Sequence, residues 1–266
     1  MTYFNFRQAV TLLVILGLSS CAPISAKHPR YMLSDQEISY IISNYRNQQD
    51  AIHSFVSSGD IVIRGGDGSE FEAAVLIAGT KDPLRIKIEI THFWGRPLVY
   101  ILISDTAYHI ISFPDKRYYE GEIGDRASSM LFRVNVDGDQ LWSFGRGFPI
   151  LMNYNRARCF AENQIALLKE DNEIIQLIDL CPGDSLPCHV FMPEQEIRVS
   201  FSDFQNNNDI QYAKKTRLYD QKTEFVLTLN IKEIFFNKDF DPSIFEMEIP
   251  QDFERVNNHD VSPDAQ

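Results

Sequence analysis

Residues 84–90, Leu-Arg-Ile-Lys-Ile-Glu-Ile, alternate apolar and charged side chains without a fault. Leu84, Ile86, Ile88 and Ile90 fall on one face, and Arg85, Lys87 and Glu89 fall on the other. Successive side chains of a strand point to opposite faces, so this segment reads as a strand with one dry and one wet side. The same period of two runs through much of the chain. Residues 60–64 and 71–78 flank the turn Gly65-Gly66-Asp67-Gly68 and read as a hairpin. Residues 98–104, 107–113 and 117–122 follow with short gaps, and short gaps join antiparallel neighbours. Strands resume at 156–169, turn at Glu170-Asp171-Asn172, and continue through 173–180, 196–204, 210–219 and 223–236. In the last of these Phe225, Leu227, Leu229 and Ile231 share a face. About ten or eleven strands result, and a sheet of roughly that size must curl strongly or close.

Two places break the period. Near the start, Ser34 and Glu37 have the spacing of a capping box. Ile38, Ile41, Ile42 and Tyr45, then Ile52, Phe55 and Val56, fall near helical spacing, which predicts a helix ending near 57–59. In mid-chain, residues 126–133 and 140–146 read as short helices of an insert, with Gly145, Gly147 and Pro149 ending the second. The fold class expected is α+β, mostly antiparallel β. The natural place for the helices is the open side of the curled sheet, as a leading helix and a helical lid.

The first twenty-one residues fix an address. A basic start ends at Arg7, an apolar run spans Ala9 to Leu18, and Leu18-Ser19-Ser20-Cys21 follows. The run is shorter than the roughly 20 residues a membrane-crossing helix needs and has the form of a secretory signal. Small residues before a cysteine form a lipobox, and the thiol of Cys21 is the atom that would carry lipid. The organisation expected is a signal peptide at 1–20, a lipidated tether at 21–31, one domain at 32–250 and a polar, disordered tail at 251–266. Ala22 after the cysteine, where an Asp would hold a lipoprotein on an inner membrane, favours the periplasmic side of an outer membrane.

The formal net charge of −12 argues against nucleic acid, whose phosphates need clustered Lys and Arg, and against a polybasic membrane patch. Anchoring would fall to acyl chains, worth about 0.8 kcal/mol per buried methylene. An exported compartment permits disulfides. Cys181-Pro182-Gly183-Asp184-Ser185-Leu186-Pro187-Cys188 has the form of a turn pinched at its ends, which would leave Cys159 free. Cys159 paired with either of the others is the alternative, and sequence does not choose. His189 beside Cys188 lacks a second close Cys or His pair, so no metal site is expected.

Catalytic signals are poor. The chain has no Gly-x-Ser-x-Gly elbow and no His-Glu-x-x-His, and its six histidines are scattered. No enzymatic role and no cofactor are expected. Apolar signals are stronger. His92-Phe93-Trp94-Gly95-Arg96-Pro97 joins two amphipathic strands. Phe93 and Trp94 at such a tip either fold back into the core or project to meet a membrane or a protein. Leu141-Trp142-Ser143-Phe144-Gly145-Arg146-Gly147-Phe148-Pro149, after Met130-Leu131-Phe132, is rich in large apolar groups where strand alternation fails. As a lid it would set Leu131, Phe132, Leu141, Trp142 and Phe144 over a sheet face that includes Ile86 and Ile88. Plain helix-on-sheet packing is the alternative.

These segments together resemble the LolA/LolB family of periplasmic lipoprotein carriers, LolB most closely, since LolB is itself a lipoprotein. The likeness runs from the leading helix to Pro149. It includes the strand pair around Phe93-Trp94-Gly95 and the stretch from Leu141-Trp142 to Gly147-Phe148-Pro149, which is similar to the family's Leu-x-x-Trp…Gly-Leu-Pro segment. Phe245-Glu246-Met247-Glu248-Ile249-Pro250 is similar to the closing motif of related half-barrel lipoproteins. Two features depart from the pattern: Trp142 directly follows Leu141, and the region from Arg156 on carries extra strands and two cysteines around a loop. The resemblance implies an unclosed half-barrel with a helical lid and a dry cavity for acyl chains. It also implies a projecting apolar residue that helps deliver cargo, and Trp94 stands there with Phe93 beside it. The function expected is binding of lipid or lipoprotein acyl chains at the outer membrane, with a periplasmic carrier as a partner. The alternative is a non-catalytic scaffold of an envelope complex.

Overall fold

The computed structural model describes residues 32–122 and 137–257. Cys21 and the signal segment, most of the tether, Leu131 and Phe132 with the helix expected at 126–133, and residues 258–266 of the tail lie outside the described residues. The chain from Met32 onward forms one unit by its internal contacts.

Helix α1 spans Asp35–Asp50. Its capping box is closed in both directions: the Ser34 hydroxyl accepts from the Glu37 N–H, and the Glu37 carboxylate accepts from the Ser34 N–H at 2.9 Å. Ile38, Ile41, Ile42 and Tyr45 are buried on one face. The helix stops well before 57–59, and Phe55 and Val56 belong to the first strand. Long-range bonding decides against the local spacing. The His53 N–H donates to Asn237 Oδ1 and Asn237 Nδ2 donates to the Ala51 carbonyl, so a distant side chain catches the backbone as it leaves the helix.

Fourteen strands follow: β1 Ser54–Arg64, β2 Glu70–Lys81, β3 Leu84–Thr91, β4 Pro97–Ser104, β5 Ala107–Ser112, β6 Arg117–Glu122, β7 Arg156–Ala161, β8 Gln164–Leu168, β9 Ile174–Leu180, β10 Pro187–Met192, β11 Ile197–Asn207, β12 Ile210–Asp220, β13 Val226–Phe236 and β14 Glu254–Asn257. They form one sheet in the order β14-β6-β5-β4-β3-β2-β1-β13-β12-β11-β10-β9-β8-β7. Two meanders therefore meet at the β1–β13 pair, and the end strands β14 and β7 do not pair, so the sheet is unclosed. Neighbours are antiparallel except β14, which lies parallel to β6.

The expected ten or eleven strands fall short of this for three reasons. Residues 156–169 are not one strand, because a turn with Asn163 at φ 55° splits them into β7 and β8. Residues 187–192, hidden beside a Pro-rich loop, form β10 between β9 and β11. The tail expected to be disordered from 251 begins with order: Glu254–Asn257 add to the β6 edge, and Phe253 meets Phe113 edge-on at 5.7 Å.

Cross-strand rows show how the alternation is used. Ile110, Ile101, Ile88, Ile77, Ser57 and Ile234 lie side by side on adjacent strands, as do Tyr108, Ile103, Ile86, Gly79 and Phe55. Most of these side chains are buried, and this is the face against which the mid-chain helix packs. The opposite face carries Lys87 and Glu89, paired at 3.1 Å. A strap from the end of β13 crosses that face through a 3-10 turn, Pro242–Phe245, before reaching β14.

Candidate functional site

The mid-chain helix α2 spans Gly138–Arg146. Asp137 caps it, accepting from the Gln140 N–H at 2.7 Å, while Gln140 Oε1 accepts from the Asp137 N–H at 3.0 Å. Gly147 ends it in the left-handed region at φ 75°, where its N–H reaches the Ser143 carbonyl. A side chain at 147 would also strike the Ala213 carbonyl, 2.4 Å from the position of a Cβ. The Ala213 N–H donates to the Gly147 carbonyl at 2.7 Å and pins the helix end to β12.

Leu141, Trp142 and Phe144 are buried, as the lid reading asks, yet they fill space rather than roof it. The Trp142 indole stands against Phe55 and above Gly79, and Lys81 Nζ lies 5.8 Å from the indole centroid. Gly145 lets α2 approach Phe55 and Ile77, and its carbonyl accepts from the Ser57 hydroxyl at 3.1 Å. Ile86 is fully buried and Ile88 nearly so, both within the same apolar core.

Open space lies to one side of the helix. A cleft of about 250 Å³ is lined by α2, residues 149–153 and strands β9 to β11. None of Ile86, Ile88, Leu141, Trp142 or Phe144 lines it. Its apolar wall is Ile150, Val190, Val199 and Phe201, with Met152 and Met192, whose flexible thioethers adapt to irregular guests. Two glutamines tie the lining segments together. The buried Gln176 accepts from the Met152 N–H at 3.1 Å and donates to the Ile150 carbonyl at 2.9 Å. Gln140 Nε2 donates to Gln195 Oε1 at 2.7 Å and touches the Met192 sulfur. At the mouth stand Asp137 and Asp139. Burial raises the Asp137 carboxyl above the usual carboxylate range, against the pull of the Gln140 N–H, with Asp139 adding to the rise. Asp139 is paired with Lys81.

Arg146 escaped the sequence reading. Its guanidinium is fully buried, and no carboxylate among the described residues pairs with it. It donates instead to the carbonyls of Phe148 (3.1 Å), Gln48 (3.2 Å) and Pro149 (3.1 Å), and lies over the Phe148 ring. Burial pushes its pKa down to about 9. The signal available was an arginine between two glycines inside an apolar run.

The β3–β4 hairpin ends in a tight turn in which the Gly95 N–H donates to the His92 carbonyl at 2.8 Å. Phe93 is 59 % and Trp94 76 % exposed, so the tip projects. The Trp94 indole stacks on the His92 ring, 4.6 Å between centroids and 6° between planes. Cys181 pairs with Cys188, which leaves Cys159 as the free thiol among the described residues. The loop so closed touches α1, where Tyr45 Oη donates to the Ser185 carbonyl at 2.6 Å.

A DUF1329 family protein from Desulfovibrio piger superposes with a TM-score of 0.52 at 9% identity, over 79% of this chain and 97% of its own. A domain named for outer membrane lipoprotein sorting, from Vibrio parahaemolyticus, gives 0.51 at 11% identity, over 79% and 96%. The fold is LolA-like. A LolA superfamily protein from Nitrosomonas europaea aligns at a TM-score of 0.49 and 13% identity, over 79% of this chain and 97% of its own. No protein-family model and no curated protein matches the sequence. At such identities the likeness is one of architecture.

Proposed function

We propose that this chain is a lipid-anchored envelope protein that binds a lipid or lipoprotein acyl chain beside α2. The observation that carries the reading is the cleft between α2 and β9–β11, with its apolar wall of Ile150, Val190, Val199 and Phe201. Burial of a chain there gains roughly 25 cal/mol per Å² of apolar surface removed from water. The exposed Phe93-Trp94 tip supports the reading, since aromatic rings favour the boundary between headgroups and acyl chains. So does the lipobox at Cys21, which would hold the domain at a membrane, with the periplasmic side of the outer membrane favoured by Ala22. Cargo would pass between dry sites without metal, nucleotide or covalent chemistry, received from or handed to a periplasmic carrier.

The cleft also bounds the cargo. About 250 Å³ lies just under the usual range of ligand pockets, roughly 300–1,000 Å³, so it suits one slender chain rather than a multi-chain lipid. Mass spectrometry of the chain purified from an envelope extract, with Cys21→Ser so that it carries no acyl group of its own, tests this. A co-purifying acylated molecule is expected, and a chain that emerges empty and takes up no labelled fatty acyl probe sinks the reading.

One observation favours a second reading, a non-catalytic scaffold. Leu141, Trp142 and Phe144 occupy the middle of the inner face as ordinary core. A scaffold predicts a protein partner and no bound lipid. Trp94→Glu separates the two: a carrier loses delivery and keeps its ligand, while a scaffold loses partner binding alone.

A further inference from the structure

The cleft beside α2 is dry along one wall and acidic at its mouth. Asp137 and Asp139 both line it, and among the described residues no Lys, Arg or His does. Asp139 is engaged by Lys81. Asp137 accepts from the Gln140 and Asp139 N–H groups, feels the charge of Lys81, and has no ion pair of its own among the described residues. An ionised carboxylate has two oxygens and about four acceptor sites, so these two backbone bonds leave about half of its capacity open. The Ser143 hydroxyl, also at the cleft, donates to the Phe148 carbonyl and keeps its oxygen lone pairs. The mouth therefore offers acceptors and one negative charge in excess.

We propose that the cleft takes a single-chain amphiphile with a protonated amine head, and that Asp137 selects that head against a fatty-acid carboxylate. The alkyl chain lies along Ile150, Val190, Val199 and Phe201, and the size of the cleft admits one chain. The ammonium meets the Asp137 carboxylate, whose full negative charge outweighs the roughly half positive charge of the helix start and whose open acceptor sites suit its N–H donors. A carboxylate head at the same place faces a like charge with no cation among the described lining residues to receive it, which is discrimination by repulsion as well as by attraction. An alcohol head falls between. The inference rests on the acyl-binding reading and names the head group which that reading leaves open.

Isothermal titration tests it at pH 7 on the chain from residue 21 onward with Cys21→Ser, using decylammonium, decanol and decanoate as probes. Decylammonium is expected to bind at least tenfold more tightly than decanoate, with decanol between them. Asp137→Asn keeps a good helix cap. It is expected to hold the decanol affinity within about twofold and to shrink the ammonium-to-carboxylate gap to threefold or less. Equal affinities for the three probes overturn the inference and leave the acyl-binding reading standing. A gap that survives Asp137→Asn also overturns it, since attraction of a cation to an acidic protein as a whole would then explain the preference. Failure of all three probes to bind overturns the acyl-binding reading and this inference with it.

Discussion

Trp142 stands edge-on to Phe55, with ring centroids 5.0 Å apart and planes at 75°, and Gly79 is what lets them meet. A Cβ at position 79 would lie 2.9 Å from the Phe55 ring and 3.1 Å from the indole. The helix most suited to be a lid is thus keyed into the sheet by its largest side chain. Room for a guest is left beside α2 rather than under it.

That keying sets the first prediction. Trp142→Ala removes a fully buried aromatic and is expected to cost about 3–5 kcal/mol of folding stability. Gly79→Val overpacks the same spot and is expected to cost about 1–3 kcal/mol. The two changes touch one contact, so the double variant should lose less than their sum. Urea unfolding of the four proteins measures this. Strict additivity would mean that Gly79 and Trp142 do not share the site.

Arg146 supplies the second. A buried guanidinium whose partners are three backbone carbonyls ties the exit of α2 to the last turn of α1 through Gln48. Lysine cannot reach three divergent acceptors as a planar fork does. Arg146→Lys is therefore expected to cost about 2 kcal/mol, near the penalty for leaving one or two buried acceptors unmet. Arg146→Met should cost at least as much, because it leaves all three carbonyls unpaired. A methionine variant as stable as the parent would show that the buried charge costs as much as its bonds return.

The sheet was legible and the site was not, for one physical reason. Alternation reports which face of a strand is dry, so Leu84–Thr91 could be placed from its first seven residues alone. The ends of elements are set by distant partners, as Asn237 sets the end of α1, and a local pattern carries no trace of them. The same limit hid the cleft. Val190, Val199 and Phe201 look like any core residues in sequence, and only the register of β10 and β11 leaves them facing open space. Phe93 and Trp94 were found because an aromatic pair in a four-residue turn is conspicuous without knowledge of the fold.

The disulfide gives the third prediction. Cys181 and Cys188 close a loop of separation 7. By the chain-entropy relation, a loop of that size removes roughly 2 kcal/mol of unfolded-state freedom. Replacing both cysteines by serine is expected to lower stability by about that amount. The loop should also loosen from α1, because the Ser185 carbonyl that accepts from Tyr45 is inside it. Hydrogen exchange over residues 41–48 reads the second effect, and unchanged exchange there would disconnect the loop from the helix.

Asp137 gives a pH dependence of definite sign. Its carboxyl is raised in the folded state, chiefly by burial, above the usual carboxylate range. A raised acid holds its proton more tightly when folded, so its contribution is most favourable below the unfolded pKa. That contribution falls as pH rises through the folded pKa, then stays level. Asp137→Asn removes the titration and keeps the cap. The variant should gain stability relative to the parent across the weakly acidic range, with a constant advantage above it. Thermal midpoints of both proteins from pH 3 to pH 7 check this, and an advantage that shrinks with rising pH would contradict the assignment.

The hairpin tip yields the last prediction. Phe93 and Trp94 are exposed, and the turn that holds them is closed by backbone bonds from His92 to Arg96 and from Gly95 to His92. Neither side chain supports the core, so Trp94→Glu is expected to leave folding stability within about 0.5 kcal/mol of the parent. Its effect should appear at a membrane. An indole favours the headgroup level, where its ring is half dry and its N–H finds an acceptor. Stacking on His92 fixes the ring before contact, so little side-chain freedom remains to be lost on insertion. The chain with Cys21→Ser should bind zwitterionic vesicles weakly through this tip, and the Trp94 emission should shift to the blue on binding. Trp94→Glu should abolish the binding, and Phe93→Ala should weaken it. An emission maximum that does not move on adding vesicles, in a chain that still binds them, would place the contact elsewhere on the molecule.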